Sequence, residues 1–478
     1  MSKTSTVGIK AYGAFIPRLR LDRAAIANAH SWAFPSMRGK GEKAICSWDE
    51  DAITLGVEAA RDCLGSHQDE IGKVTFASTT APFADLQNSG IIAAALSFDH
   101  RIGCQDTGGS TRAGLACLID SLVNPAEKDQ LLIASDRRRA QPASPAEMRY
   151  GSGAAAVLVG HDDLIASFLG GAHLTTPFMD HYRMSGHPYD YYGEERWIRD
   201  EGVVKLVPTS IKTLLERAEI DTAAVKYFGL SGAPKGSDKI VARKLGIDPA
   251  NLLPDFQENV GDTGTAYPML QLSAAFEEAS PGDIIVIAAF GAGCDVAVFR
   301  KESGSRKPEK GLAGTLADRI PESSYLKMLS FDGELNVDWG PRAEVDTKAS
   351  FPQQYRAAEQ ILSFTGGKCH ACGTVQFPST TNCVECSAPD TQKPFHLAND
   401  KAEVATYSAD WLQYCPAPPL YIGLVQFNSG ARVLMEIVDV GEQELDVGTP
   451  LRMVFRVKAK DNLRNYSRYF WKATPTNG

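Results

Sequence analysis

Two stretches decide the fold. Asp106-Thr107-Gly108 opens a helix-like run that leads to the apolar strand Asp129-Gln-Leu-Leu-Ile-Ala-Ser-Asp136. Asp262-Thr263-Gly264 opens another, leading at nearly the same spacing to Asp283-Ile-Ile-Val-Ile-Ala-Ala-Phe290. Each of those strands passes through a small-residue turn into a further strand: Gly151-Ser-Gly-Ala-Ala-Ala-Val-Leu in the first copy, Gly291-Ala-Gly-Cys-Asp-Val-Ala-Val in the second. A repeat of this kind implies two similar halves in tandem, related by a pseudo-two-fold, with a site where they meet. Around it, short apolar strands (74–78, 130–135, 154–159, 227–231, 284–289, 296–299) alternate with helix-like stretches (51–63, 111–123, 268–279), an α/β pattern over residues 1–300.

Beyond residue 300 the composition changes. Residues 301–310 are polar and read as a linker, and 301–350 together as linker and tether. Residues 351–364 can form a helix that feeds a cysteine cluster, so 351–398 is expected to be helix and zinc ribbon. From 399 to 478, β-rich runs such as Tyr421-Ile-Gly-Leu-Val-Gln-Phe and Leu451-Arg-Met-Val-Phe-Arg-Val, punctuated by Gly441 and Gly448, suit a small β-barrel.

The chain has 478 residues, enough for two to four domains. Apolar residues make up 44% and charged residues 22%, which excludes wholesale disorder. A net charge of −9 shows no basic face for nucleic acid. No apolar run approaches the ~18–20 residues of a membrane span. The start lacks a signal-peptide core and the end is no retention tail, so the expected location is the cytoplasm.

Cys369-His-Ala-Cys372 and Cys383-Val-Glu-Cys386 are two C-x-x-C pairs. Each such turn presents two thiolates to one tetrahedral ion, and two pairs close the shell, so a structural zinc is expected. His370 between the ligands is expected to face solvent. A redox C-x-x-C usually occurs singly before a helix, which disfavours that alternative.

The C-terminal third resembles the zinc-ribbon plus OB-fold domain that accompanies acyl-CoA thiolases, carried by Cys369-His-Ala-Cys-Gly, Phe377-Pro and Cys383-Val-Glu-Cys. The first 300 residues resemble the thiolase fold, a layered αβαβα arrangement of duplicated halves, and within it the hydroxymethylglutaryl-CoA synthase branch. The segments that carry this are Cys46-Ser-Trp-Asp-Glu-Asp-Ala-Ile-Thr-Leu, Gly151-Ser-Gly-Ala-Ala-Ala-Val-Leu, Asn259-Val-Gly-Asp-Thr-Gly-Thr-Ala and the Pro281–Gly293 region. The resemblance implies C–C bond chemistry next to a CoA thioester, and dimerisation by extension of the central sheet. That chemistry uses a thiolate at a helix N-terminus, a His, an oxyanion-holding Asn and a Glu acid/base. Counted from the flanking strands, these positions carry Gly108, Ser231, Asp262 and Thr79 respectively. None has the family residue.

Two substitutes are open. Cys104 lies on the same strand-to-helix segment; it is either a nucleophile or a buried apolar side chain. Asp106 and Asp262 are repeat equivalents; they are either helix caps or an acid/base pair for a thiolate-free retro-aldol step. The segment from His181 to Tyr192 could add imidazoles and phenols, or be a lid or dimer-contact loop. Cys117 and Cys294 read as core. The two Asp-Thr-Gly triplets do not fit a bilobal aspartic protease, because each opens a helix inside an α/β repeat. Arg38, Lys40, Lys43 and Lys235 are candidates for CoA phosphate contacts. The favoured reading is a subunit of a thiolase/acyltransferase-type complex that lacks its own thiolate and stabilises an active thiolase-like partner, as a homodimer or hetero-oligomer. The alternatives are a self-sufficient atypical enzyme on CoA thioesters and a non-catalytic CoA-ester binding scaffold.

Overall fold

A computed structural model describes residues 6–67, 69–441 and 445–476. The extreme termini, on which the reading of targeting signals partly rests, lie outside the described residues. Among those described, no helix is long and apolar enough to cross a membrane. The chain divides into two compact units: residues 1–46, 51–90 and 101–325 form one; 47–50, 91–100 and 326–478 form the other.

The first unit is built on a nine-stranded sheet. Its order is Val225–Ser231, Ile284–Phe290, Gly293–Lys301, Ala166–Thr175, Gly8–Phe15, Ser152–Gly160, Asp129–Arg137, Ile71–Ala77 and Gly103–Thr107. The repeat is visible in the pairing. Ile71–Ala77 runs parallel to Asp129–Arg137, which is antiparallel to Ser152–Gly160, itself antiparallel to Gly8–Phe15. In the second half, Val225–Ser231 is parallel to Ile284–Phe290, antiparallel to Gly293–Lys301, then to Ala166–Thr175. The first half alone carries a further complete strand, Gly103–Thr107, at the sheet edge. At the matching place in the second half there is a single bridge, Phe228–Leu252.

Strands such as Ser152–Gly160 and Ile284–Phe290 are buried along their whole length, as uniform apolar runs covered on both faces must be. The helices Ala113–Val123 and Tyr267–Glu278 are repeat equivalents. The second is buried from Tyr267 through Phe276, which marks a helix enclosed on all sides. Pairing of Ile320–Glu322 with Leu19–Asp22, and burial of Leu312 and Thr315 on the helix Gly311–Ala317, make residues 311–325 part of this unit. Within the stretch read as linker and tether over 301–350, the polar run 301–310 is thus followed by residues that bury apolar surface.

In the second unit, Ala402–Asp410, Leu420–Phe427, Arg432–Ile437, Tyr466–Pro475 and Pro450–Asp461 close a five-stranded barrel around Phe427, Phe455 and Trp471. Thr365–Cys369, Val375–Gln376 and Gln392–His396 form the small sheet of the cysteine cluster. The helix expected over 351–364 is two short ones, Phe351–Arg356 and Ala358–Leu362.

Candidate functional site

The two halves of the first unit meet at Asp136, the carboxylate near the end of the strand Asp129–Arg137. It is fully buried. Oδ1 accepts hydrogen bonds from Ser78 Oγ (3.0 Å), Thr79 N (2.8 Å) and Thr80 Oγ1 (2.8 Å) of the first half. Oδ2 accepts from Thr265 N (2.8 Å) and Thr265 Oγ1 (2.9 Å) of the second. One carboxylate thus satisfies donors from both repeats, which is how a buried charge is tolerated.

Two residues on, Arg138 is buried across the junction. Its guanidinium reaches Asp262 Oδ2 (2.8 Å) and Asp190 Oδ2 (3.0 Å), and lies 3.5 Å from the Tyr150 ring centroid. Asp190 also accepts from Tyr150 OH (2.8 Å) and Arg183 Nη1 (2.9 Å). Burial works against the Asp262 charge, but Arg138 and Arg149 outweigh it and hold the carboxyl below its usual range. Asp190 is held low in the same way, chiefly by Arg138. Burial pushes the Tyr150 phenol far above its usual range, against the pull of Arg138. Asp262 and Asp190 are thus held as carboxylates, ion-paired with Arg138, and the Tyr150 phenol keeps its proton.

The family positions fall around this junction. Thr79 bonds Asp136 and, through its carbonyl, Arg183. Gly108 faces Ser78: a Cβ at Gly108 would stand 2.7 Å from the Ser78 carbonyl oxygen. Asp262 Oδ1 accepts from Gly264 N (2.9 Å), so it caps the short turn Gly264–Ala266 as well as pairing with Arg138. Ser231 Oγ is turned to Ala288 O (3.4 Å) within the sheet. Asp106 is engaged elsewhere, accepting from Asn88 N (2.6 Å) and Ser89 N (2.9 Å). It caps the helix Asn88–Ala95, a different helix from the one it precedes in sequence.

Cys104 lies on the edge strand, and burial and Asp106 push its thiol up, opposite to what a nucleophile requires. Burial likewise pushes the thiols of Cys117 and Cys294 up, as expected of core side chains. In the 181–192 segment, His181–Tyr182 and Tyr191–Tyr192 form a small hairpin. His181 pairs with Asp180, whose other oxygen accepts Ala292 N (2.8 Å) of the Gly291–Gly293 turn. Asp136, Arg138, Tyr150 and Asp190 were not singled out by sequence reasoning. The signal available was the Arg137-Arg138-Arg139 run at the end of a buried strand, a place for charge only if partners wait there.

Of the expected phosphate contacts, Lys43 is buried and donates to Glu147 O (2.7 Å), a correction with a plain cause: it stands on a strand paired inside the fold. Arg38 donates to Pro35 O and Met37 O. Lys40 and Lys235 are exposed and both face Glu258, at 3.9 and 3.1 Å.

In the second unit the Sγ atoms of Cys369, Cys372, Cys383 and Cys386 all lie within 4.8 Å of one another, with pairs at 3.8 and 3.6 Å. A tetrahedral zinc with Zn–S of about 2.3 Å places its sulfurs roughly 3.8 Å apart, so this donor set fits. Thr391 Oγ1 lies 3.2 Å from Cys369 Sγ and Thr374 Oγ1 lies 3.3 Å from Cys372 Sγ. All four positions are filled by protein, so the ion would hold the knuckles together without an open coordination site.

Residues 215–299 match the family model of the 3-oxoacyl-[acyl-carrier-protein] synthase III C-terminal part, and residues 396–456 that of the ChsH2 C-terminal OB-fold domain. The hydroxymethylglutaryl-CoA synthase of Methanopyrus kandleri is 28% identical over 310 residues, 63% of this chain and 88% of that protein. That of Methanosarcina mazei is 29% identical over 337 residues, 67% and 95% respectively. Among solved structures, 3-oxoacyl-(acyl carrier protein) synthase III from Pseudomonas aeruginosa PAO1 aligns with a TM-score of 0.54 and 17% identity, covering 63% of this chain and all of that one. The structure of MvaS in complex with 3-hydroxy-3-methylglutaryl coenzyme A aligns with a TM-score of 0.56 and 16% identity, covering 69% and 92%. The chain has the thiolase-like α/β fold, with hydroxymethylglutaryl-CoA synthases among its sequence relatives, joined to a four-cysteine cluster and an OB-fold barrel of the ChsH2 kind.

Proposed function

We propose that this chain is a cytoplasmic subunit of an acyl-CoA carbon–carbon bond-forming or -cleaving assembly, and that it lacks its own catalytic thiolate. The observation that supports this best is the junction itself. Gly108, counted from the sequence as the nucleophile position, has the Ser78 backbone against it, and Asp262, counted as the oxyanion position, is paired with Arg138. A carboxylate there disfavours a developing oxyanion. A thiolase-like partner would supply the reacting thiolate. The strand Gly103–Thr107 ends the nine-stranded sheet, an edge along which a second thiolase-like chain could extend it. Lys40 and Lys235, exposed and close to one carboxylate, are the side chains left to meet CoA phosphates.

The test is turnover of acetyl-CoA and acetoacetyl-CoA by the purified chain, followed as released CoA thiol and by intact mass. The chain alone should release none and carry no acyl adduct, and activity should appear with a thiolase-like partner. An adduct removed by Cys104→Ser would overturn the reading. Turnover by the lone chain that Asp262→Ala or Tyr150→Phe abolishes would replace it with a thiolate-free acid/base enzyme. Tight CoA-ester binding without turnover beside any partner would leave a binding scaffold.

A further inference from the structure

The second unit is discontinuous in sequence: it takes in Ser47–Glu50, far upstream of its barrel. Two barrel strands, Pro450–Asp461 and Tyr466–Pro475, each turn one cation fully inward, Arg456 and Lys472, both only 1% exposed. Buried cations are tolerated only where carboxylates and hydrogen bonds meet them. The barrel supplies one carboxylate apiece, Asp439 to Arg456 and Glu436 to Lys472 (2.7 Å). The rest come from the captured segment. Glu50 Oε1 lies 2.9 Å from Arg456 Nη1, and Asp49 Oδ2 lies 2.9 Å from Lys472 Nζ.

The contact is more than charge. Val457 N donates to Asp49 O (2.9 Å), a main-chain bond onto the turn that Glu50 N closes to Ser47 O (3.2 Å). The Lys472 ammonium lies 4.3 Å from the centroid of the Trp48 ring. Glu50 Oε2 accepts Ser47 N (2.8 Å), which folds the tetrapeptide into the shape that presents both carboxylates. A backbone hydrogen bond, two buried cationic pockets and an aromatic–ammonium contact together read one order of residues: aromatic, Asp, Glu.

We infer that the barrel carries a peptide-recognition site for an acidic Trp-Asp-Glu segment, and that the chain's own Ser47–Glu50 is its occupant. Covalent attachment holds that occupant at high effective concentration. Recognition itself resides in the side chains named and is separable from the attachment.

The test uses the full-length chain carrying Trp48→Gly, Asp49→Gly and Glu50→Gly, titrated with a fluorescently labelled synthetic peptide of residues 43–53. Anisotropy should show saturable binding, weakened about tenfold or more when the peptide carries Asp49→Lys or the chain carries Lys472→Met. No saturable binding to a folded barrel, or a barrel that unfolds once the segment is changed, would overturn the inference, since the segment would then be no ligand. A second measurement does not depend on that variant. In the otherwise intact chain, Asp49→Asn should raise hydrogen exchange at the Val457 amide while the strand Thr365–Cys369 keeps its protection. An unchanged Val457 amide would contradict the site.

Discussion

Placing a cysteine at Gly108, the position counted from the sequence as the nucleophile's, tests the proposed reading of the junction most directly. Its Cβ would stand 2.7 Å from the Ser78 carbonyl oxygen, where ordinary contact begins near 3.4 Å. The two backbones must separate by roughly 0.7 Å, and Ser78 is poorly placed to yield. Its N–H bonds Thr107 O (2.9 Å), and its hydroxyl bonds Asp136 (3.0 Å), which Thr265 pins from the other half. Overpacking against fixed backbone costs about 1–3 kcal/mol. At roughly 2–4 °C per kcal/mol for a unit of this size, the thermal midpoint should fall by several degrees. Gly108→Ala should fall by a similar amount, because the clash lies at Cβ. The helix Ala113–Val123 begins five residues beyond Gly108, so its dipole does little for a thiol there, and the new thiol should remain unacylated by acetyl-CoA in intact-mass spectra, with Asp262→Asn added or not. A variant as stable as the parent that takes up an acetyl group would refute the argument, because the pocket would then be intact apart from one atom of sulfur.

Other outcomes follow from the same contacts. Arg138→Met leaves Asp262 and Asp190 buried without their shared cation, so denaturant unfolding should show a loss of about 3–5 kcal/mol, partly recovered by adding Asp262→Asn. Burial, with Asp439 and Asp49 nearby, pushes Glu50 up to about 7 from 4.5 despite Arg456. The folded chain then holds a proton that the unfolded chain releases, so stability should decline as pH rises from 4.5 to 7. At 1.36 kcal/mol per pH unit the span is on the order of 3 kcal/mol, and Glu50→Gln should flatten it. Metal analysis should find one zinc per chain; Cys383→Ser or a strong chelator should abolish it together with hydrogen-exchange protection of the strand Thr365–Cys369. Asp106→Ala should cost about 1 kcal/mol as a lost cap of the helix Asn88–Ala95, with CoA-ester binding unaltered.

How much of this was legible differs by element. The strands at 130–135, 154–159 and 284–289 were found within a residue or two because burial on both faces forces unbroken apolar runs. Gly103–Thr107 was legible only as part of a strand-to-helix segment around Cys104: an edge strand with Gly, Gln and Asp carries no such run, and its pairing with Ile71–Ala77 sets its limits. The cysteine quartet was legible because metal ligation dictates residue type and local spacing together. Asp106 and Asp262 looked alike as repeat equivalents, yet one caps the helix Asn88–Ala95 and the other takes Arg138. Their different fates depend on neighbours distant in sequence, which local pattern does not encode.

The sequence by itself determined the duplicated α/β architecture, the four-cysteine cluster and the barrel, because hydrophobic period, turn chemistry and cysteine spacing are local properties that survive without coordinates. Only the tertiary structure decided the character of the junction and the composition of the second unit. Asp136 between the repeats, Arg138 between Asp262 and Asp190, and Asp49 and Glu50 against Arg456 and Lys472 all join residues far apart in the chain. The energy of a buried charge depends on which partners the fold brings within about 3 Å, and that is a property of the closed structure rather than of any segment of it.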